Sequence, residues 1–292
     1  MTPVDPLLTT LLDLLYELRD SDLPLLLGGG YGLYLKQLRS RESGEPSLLD
    51  AVPPTRATND LDIFLRTEVI TDSSRLRPLR DALDRLGFKV IPAAQNYQFA
   101  RKFALGGLDW DIKVELLART PNITTFPHMK VDARRVKPNP SVGLHAHRTD
   151  EAVAIEDSMT SVAVSWYRST GEEYVGRIYL PSTYALLMMK LFALRDQWDR
   201  EGKDFGRKHA IDLYTLIALT TEPEYHVCLE LSERYRHGTE GKEAARIVSE
   251  LFFDESGAGV LRLKEQGTLP SDADMGSFLT LLKEFFPESD SE

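Results

Sequence analysis

Cysteine is almost absent: Cys228 stands alone in 292 residues. An internal disulfide framework is excluded, and a reducing, cytoplasmic setting is expected. Long hydrophobic runs are also missing. No stretch approaches the about 20 apolar residues of a membrane-spanning helix, so no membrane partner is expected. Positive charge is in deficit, with 35 Lys and Arg against 45 Asp and Glu, a net charge of −10. That argues against a broad phosphate-tracking surface and leaves room for a local basic cleft. No repeat at a fixed period is visible, which sets solenoids and propellers aside. The opening MTPVDPLLTTLLDLLYELRD carries acids among its leucines and no basic leader, so no signal peptide is expected. What remains is 42% hydrophobic and 27% charged. This composition excludes collagen-like, coiled-coil and largely disordered chains. The length admits one large domain or two modest ones.

Leucines recur at helical spacing over Pro6–Arg19. LPLLLGGGYG at 23–32 reads as a short strand entering a glycine turn, and YGLYLKQLRS continues as a helix. Residues 40–59 are rich in Ser, Pro and charge. They read as a long loop, expected to be mobile over 40–57, with Arg56 anchoring its end near the site. NDLDIFLRTEV alternates as a half-buried strand. SSRLRPLRDALDRLGF reads as a helix capped by Ser73 or Ser74 and closing near Gly87. QNYQFARKFAL and LDWDIKVELLA form a hairpin around Gly106-Gly107, and two more strand candidates follow before Leu180. From Pro181 the pattern turns helical, with segments at 181–198 and 206–219 and two or three more beyond. The expected organisation is an α/β (α+β) domain with a mixed sheet over 1–180. A helical domain over 181–285 and a disordered tail over 286–292 complete it.

The strongest local signal is RATNDLDIFL. Asp60 and Asp62 lie two apart on a strand, so their carboxylates share one face while Leu61, Ile63 and Leu65 pack behind. Adjacent like charges repel, and a divalent cation relieves them because hard cations take carboxylate oxygens. The plain alternative is two solvated acids on an open face. In LDWDIKVELL, Asp109, Asp111, Lys113 and Glu115 share a face opposite Trp110, Ile112, Val114 and Leu116. If this strand neighbours the first, Asp111 or Asp109 can complete a three-carboxylate cluster able to hold two metal ions about 4 Å apart. Asp111, deeper in the strand between Trp110 and Ile112, is the expected third acid, since Asp109 abuts the turn. Otherwise these acids pair with Lys113, Arg101 or Lys102.

Gly28, Gly29, Gly30 and Gly32 allow close approach of backbone to a ligand, and the following helix N-terminus suits phosphate. The run matches neither G-x-G-x-x-G nor the G-K-[ST] of a P-loop. A structural turn is the bland alternative. Lys190 in TYALLMMKLFAL and Asp212 in KHAIDLYTLIAL are charges in apolar helices. A buried charge needs a partner, so they either bridge each other or Lys190 meets anionic phosphates.

Together these residues resemble the polymerase-β-like nucleotidyltransferase superfamily. The likeness is greatest to the AbiEii-type nucleotidyltransferases, the toxin-like branch of bacterial type IV toxin–antitoxin systems. LLLGGGYGLYL is similar to that family's strand and G-G-T-A-L, with Gly29 and Gly30 as the glycine pair and Tyr31 and Gly32 replacing Thr and Ala. RATNDLDIF resembles R-x-[ST]-x-D-[IL]-D, giving Arg56, Thr58, Asp60 and Asp62. YALLMMKLFALRDQW resembles the helix carrying a lysine and a downstream arginine, here Lys190 and Arg195. RKHAIDLYTL resembles the closing K-D-x-x-D-[LIF], with Lys208 and Asp212, and with His209 where an acid is usual. Residues 40–55 are an insertion. The likeness spans about residues 23–219.

The resemblance implies an enzyme that moves a nucleotidyl group from an NTP, with Mg²⁺ or alternatively Mn²⁺. Asp60, Asp62 and Asp111 would be the catalytic and metal-holding acids. Gly29, Gly30, Arg56, Thr58, Lys190 and Asp212 would bind nucleotide. It also implies tRNA, protein or small-molecule acceptors and a cognate antitoxin. Two rivals are a small-molecule, antibiotic-modifying nucleotidyltransferase and a silent binding protein that keeps the fold. His145 and His147 alternate in VGLHAHRT without a third ligand nearby, too few for a metal site. Arg134, Arg135 and Lys137 read as a solvated basic loop, and Cys228 as a core thiol.

Overall fold

The computed structural model describes residues 5–288 apart from 55, 57, 95, 106, 123, 126–128 and 139–141. Gly106 of the expected hairpin turn and 289–292 of the expected tail therefore lie outside the described residues. The fold is mixed α/β, and the chain divides into two compact units. The first comprises 1–32, 57–150 and 159–180; the second comprises 33–56, 151–158 and 181–292. Segments 33–56 and 151–158 thus belong with the helical part, although the sequence places them before the boundary at 180.

Among the described residues, the first unit holds one ten-stranded sheet. Its strands are β1 (Leu26–Leu27), β2 (Asp60–Phe64), β3 (Lys89–Val90), β4 (Gln98–Leu105), β5 (Leu108–Ala118), β6 (Lys130–Val131), β7 (Arg135–Lys137), β8 (Ala146–Arg148), β9 (Thr160–Tyr167) and β10 (Glu173–Leu180). They run in the order β6-β7-β8-β5-β2-β1-β10-β9, with β4 against β5 and β3 against β4. β2 and β8 both run parallel to β5, whereas β4 is antiparallel to it.

Helix α1 (Pro6–Glu17) starts on Asp5, whose carboxylate accepts from Leu8 N at 2.9 Å, and on Pro6, pre-set for a first turn. It packs on β2, β5, β9 and β10 through fully buried Leu11, Leu12 and Leu14. Asp13 is buried in that face and receives Arg101 Nη2 at 3.3 Å and Ser169 N at 3.0 Å. After α2 (Gly29–Ser43) and the single turn α3 (Thr67–Ile70) comes α4 (Ser73–Arg85). Its cap is Asp72, one residue ahead of the expected serines, accepting from Ser74 N at 2.8 Å. The carboxylate outcompetes a neutral hydroxyl for the orphan amide. Gly87 at φ +77° closes the helix in the left-handed region, where glycine is free of Cβ strain.

The second unit is built on α5 (Thr183–Gln197), α6 (Arg207–Ala218), α7 (Glu222–Tyr235), α8 (Thr239–Leu251), α9 (Ala258–Glu265) and α10 (Met275–Phe285). Helix α5 is buried on nearly every side as far as Leu194, which its largely apolar sequence requires, Lys190 being the charge within it. Thr221 and Glu224 form a capping box at the start of α7. Phe286 does not begin a loose tail: it is buried and stacks on Tyr184 with centroids 5.1 Å apart. The segment after α2 is also tied down. Leu48 N donates to Thr220 O at 2.8 Å, Pro53 O accepts from Gln37, and Leu49 is buried. The expectation of a mobile loop rested on composition, which does not reveal such tertiary anchors.

Candidate nucleotide and metal site

In the first unit, the strand pattern sets Leu61 and Ile63 into the core with no exposure and turns Asp60 and Asp62 to the other face. Thr58 Oγ1 accepts from Asp60 N at 3.3 Å and steadies the strand's first residue. Asp60 Oδ1 has no hydrogen-bond partner and forms a long ion pair with Lys113 Nζ at 3.9 Å, on a side chain that is 48% exposed. A carboxylate oxygen without a hydrogen bond can take a hard cation.

The glycine turn is built around the second acid. Gly28 N donates to Asp62 O at 2.9 Å. Gly29 sits at φ +62°, and a Cβ there would lie 1.6 Å from Asp62 Oδ2. Glycine is needed both for the backbone angle and for the space. Gly30 follows in the first turn of α2. The first amides of a helix lack helical acceptors and draw anions. Thus the start of a helix and the acid pair meet at one place.

Register decides the neighbours on β5. Asp60 faces Lys113 and Asp62 faces Glu115, because β2 begins at Asp60. Asp111 lies beyond the end of that pairing. Its side chain is 65% exposed and 3.6 Å from Lys102. The third-acid expectation is corrected accordingly: Glu115, not Asp111 or Asp109, stands beside the pair. Alternation showed all four residues on one face but could not fix which lay level with Asp62. Among the described residues, no group of three or more His, Cys, Asp or Glu is assembled to hold a metal ion.

Two carboxylates nevertheless fit Mg²⁺, which commonly takes one or two protein carboxylates and completes its shell with substrate phosphates and water. The unbonded Asp60 Oδ1 and the glycine cradle at Asp62 are the features that match.

The second unit carries the other expected residues. Asp212 accepts from Lys190 Nζ at 2.7 Å and from Arg56 Nε and Nη2, each at 2.9 Å. Burial opposes its ionisation, yet Lys190 and Arg56 outweigh this and hold its pKa at about 2. The Lys190–Asp212 bridge is therefore present, strengthened by Arg56. Lys208 is lowered, first by burial and then by the cations Arg56, Lys203 and Lys190. His209 is buried with neither ring nitrogen hydrogen-bonded. Burial first, and then the charge of Lys190, push it down to about 2, so the ring is neutral. Asp212 thus bonds two cations, and Lys208 is close enough to feel the charge of both. Arg195 is engaged elsewhere, by Glu243 at 2.8 Å and by Asp196.

No known family and no curated protein matches the chain. Among solved structures, it is similar to the antibiotic-resistance factor ANT(2'')-Ia. That match has 15% identity, covers 79% of this chain and 97% of that one, and has a TM-score of 0.35. It is also similar to an antigenic nucleotidyltransferase-like protein from Paracoccidioides brasiliensis. There the identity is 14%, the coverage 79% of this chain and 89% of that one, and the TM-score 0.36. Among the described residues, no helix is long and apolar enough to cross a membrane.

Proposed function

We propose that the chain is a metal-dependent nucleotidyltransferase that moves a nucleotidyl group from an NTP to an acceptor. The observation that carries this reading is Gly29, at φ +62° against Asp62 Oδ2, joining a helix N-terminus to an acid pair. Asp60 and Asp62 hold Mg²⁺, with Mn²⁺ as the alternative. The metal, when bound, offsets the charge of the triphosphate. The first-turn amides of α2 orient the phosphates. By the order of the sequence motifs, and separately from that site, Lys190, Arg56 and Asp212 of the second unit are assigned to nucleotide binding as well. Little covalent chemistry falls to the protein beyond positioning and charge compensation. The role of a bacterial toxin with a cognate antitoxin, and a tRNA or protein acceptor, rest on the order of the motifs in the sequence.

The test is incubation with each α-³²P-labelled NTP, Mg²⁺ and total bacterial RNA. Label should enter RNA or protein, and should be lost with EDTA and in Asp62→Ala. Label that enters nothing with any NTP, or that enters equally in Asp62→Ala, would overturn the reading.

A further inference from the structure

Among the described residues, the sheet ends on three strands, β3, β6 and β9. Two of these ends are blunted as exposed edges commonly are. β3 and β6 have two residues each, and each includes a lysine, Lys89 or Lys130. β9 has none of these protections. It runs for eight residues, TSVAVSWY, without a charge, a proline or a glycine. Its register with β10 is unbroken from Thr160 opposite Leu180 to Tyr167 opposite Glu173, so no bulge turns the edge away.

Hydrogen bonds near the two ends of β9 fix which backbone groups point outward. Arg168 N donates to Glu172 O at 2.9 Å, back into the hairpin. Tyr179 N, opposite Ser161, donates away from β9 to Leu25 O at 2.9 Å. Antiparallel alternation therefore turns the N–H and C=O of Ser161, Ala163, Ser165 and Tyr167 outward. Tyr167 O is taken by Thr9 Oγ1 at 3.1 Å. Among the described residues, the outward groups of Ser161, Ala163 and Ser165 bond to nothing in the chain. The side chains of these three residues are exposed as well.

We propose that β9 is the interface with a second copy of this chain. The two β9 strands pair antiparallel about a two-fold axis at Ala163 and join the two sheets edge to edge. The free residues read the same from either end: Ser161, Ala163, Ser165. Pairing about Ala163 sets Ser161 opposite the partner's Ser165 and Ala163 opposite the partner's Ala163. Each such pair exchanges both of its N–H···O bonds, and the contact is self-complementary as a two-fold requires. Ser161 Oγ accepts from Arg177 Nη1 at 2.8 Å, which leaves its proton for the partner's Ser165. Diagonal to that pair stands Tyr167, whose hydroxyl bonds Glu173. The axis thus brings the Arg177 end of one hairpin to the Glu173 end of the other, on both of its sides. Two copies of net charge −10 repel elsewhere. This edge is neutral, and the charges beside it are complementary. An unrelated strand would satisfy the same backbone groups without using this symmetry, and the test separates the two.

Sedimentation equilibrium of the full chain, from about 1 to about 500 μM, should show monomer passing to dimer. Ala163→Lys and Ala163→Glu each set like charges directly opposite across the axis. Each should dimerise at least about tenfold more weakly than wild type. An equimolar mixture of the two variants should regain the dimer, because lysine then faces glutamate. Residue 163 is exposed, so melting temperatures in dilute solution should match wild type. Hydrogen exchange tests the edge without any substitution: amides of 160–167 should gain protection between about 5 and about 500 μM. Wild type that stays monomeric at every concentration would leave the edge to a strand of another protein and overturn the proposal. So would a dimer that neither variant weakens, a mixture no stronger than the single variants, or unchanged exchange over 160–167 in the dimer.

Discussion

Gly29 and Asp62 occupy each other's space: a Cβ on Gly29 would stand 1.6 Å from Asp62 Oδ2. A side chain at this position must displace the carboxylate or the helix that begins there. Gly29→Ala should therefore cost more than the about 1 kcal/mol of an ordinary glycine replacement, since its φ of +62° adds backbone strain. Removing Asp62 as well should return part of that loss. A double-mutant cycle in urea should show coupling of about 0.5–3 kcal/mol between the two sites. Additive effects would show that the two residues do not contend.

Asp60→Ala should abolish nucleotidyl transfer without unfolding the protein. Asp60 Oδ1 has no hydrogen bond to lose, and the neighbouring Asp62 repels it. The melting temperature in EDTA should be unchanged or higher than in wild type. Mg²⁺ should raise the melting temperature of wild type only. A fall of several degrees in EDTA would assign Asp60 a structural role.

How far the sequence led can be read on this sheet. The alternation of β2 placed Asp60 and Asp62 together and Leu61 and Ile63 in the core, because one buried face enforces a period of two. The same alternation on β5 could not choose among Asp109, Asp111 and Glu115. Register depends on pairings with β2, β4 and β8, which no local pattern encodes. His147 was visible only as one of two alternating histidines. It meets Glu115, 32 residues away, and no local pattern encodes that contact. Lys190 and Asp212 announced themselves as charges in apolar helices, and they do meet. Arg56, the third member, comes from 156 residues before Asp212, and no spacing rule reaches that far.

Lys190→Met keeps the stem and deletes the charge. Arg56 would still hold Asp212 through two bonds of 2.9 Å. The stability loss should therefore be smaller than the about 3–5 kcal/mol typical when a buried charge loses its only partner. NTP affinity should fall about tenfold or more, the scale of one lost charged hydrogen bond. Denaturant titration and nucleotide titration measure the two separately. Unchanged affinity with lost stability would restrict Lys190 to the bridge.

His209 makes stability depend on pH. Its folded pKa, about 2, is far below the ordinary 6.5. The unfolded chain therefore binds a proton that the folded chain refuses throughout the interval between them. Stability rises with pH wherever the unfolded state holds more protons, so acid must remove it. From pH 6.5 downward, wild type should lose about 1.4 kcal/mol per pH unit more than His209→Gln. Urea unfolding of both proteins at pH 7, 6 and 5 checks this slope. Parallel curves would mean that the imidazole is protonated in the fold. Asp212 adds loss only at lower pH, between its ordinary 3.8 and about 2.

Calorimetric titration of NTP into wild type and Asp62→Asn, with Mg²⁺ and with EDTA, tests the central claim that the acid pair beneath the α2 helix start holds a metal-bound nucleotide. The account predicts saturable binding of at least one NTP to wild type with Mg²⁺. It predicts at least about tenfold weaker binding in EDTA and in Asp62→Asn, matching the loss of one charged contact. Equal binding with EDTA, equal binding by Asp62→Asn, or no binding of any NTP to wild type would contradict it.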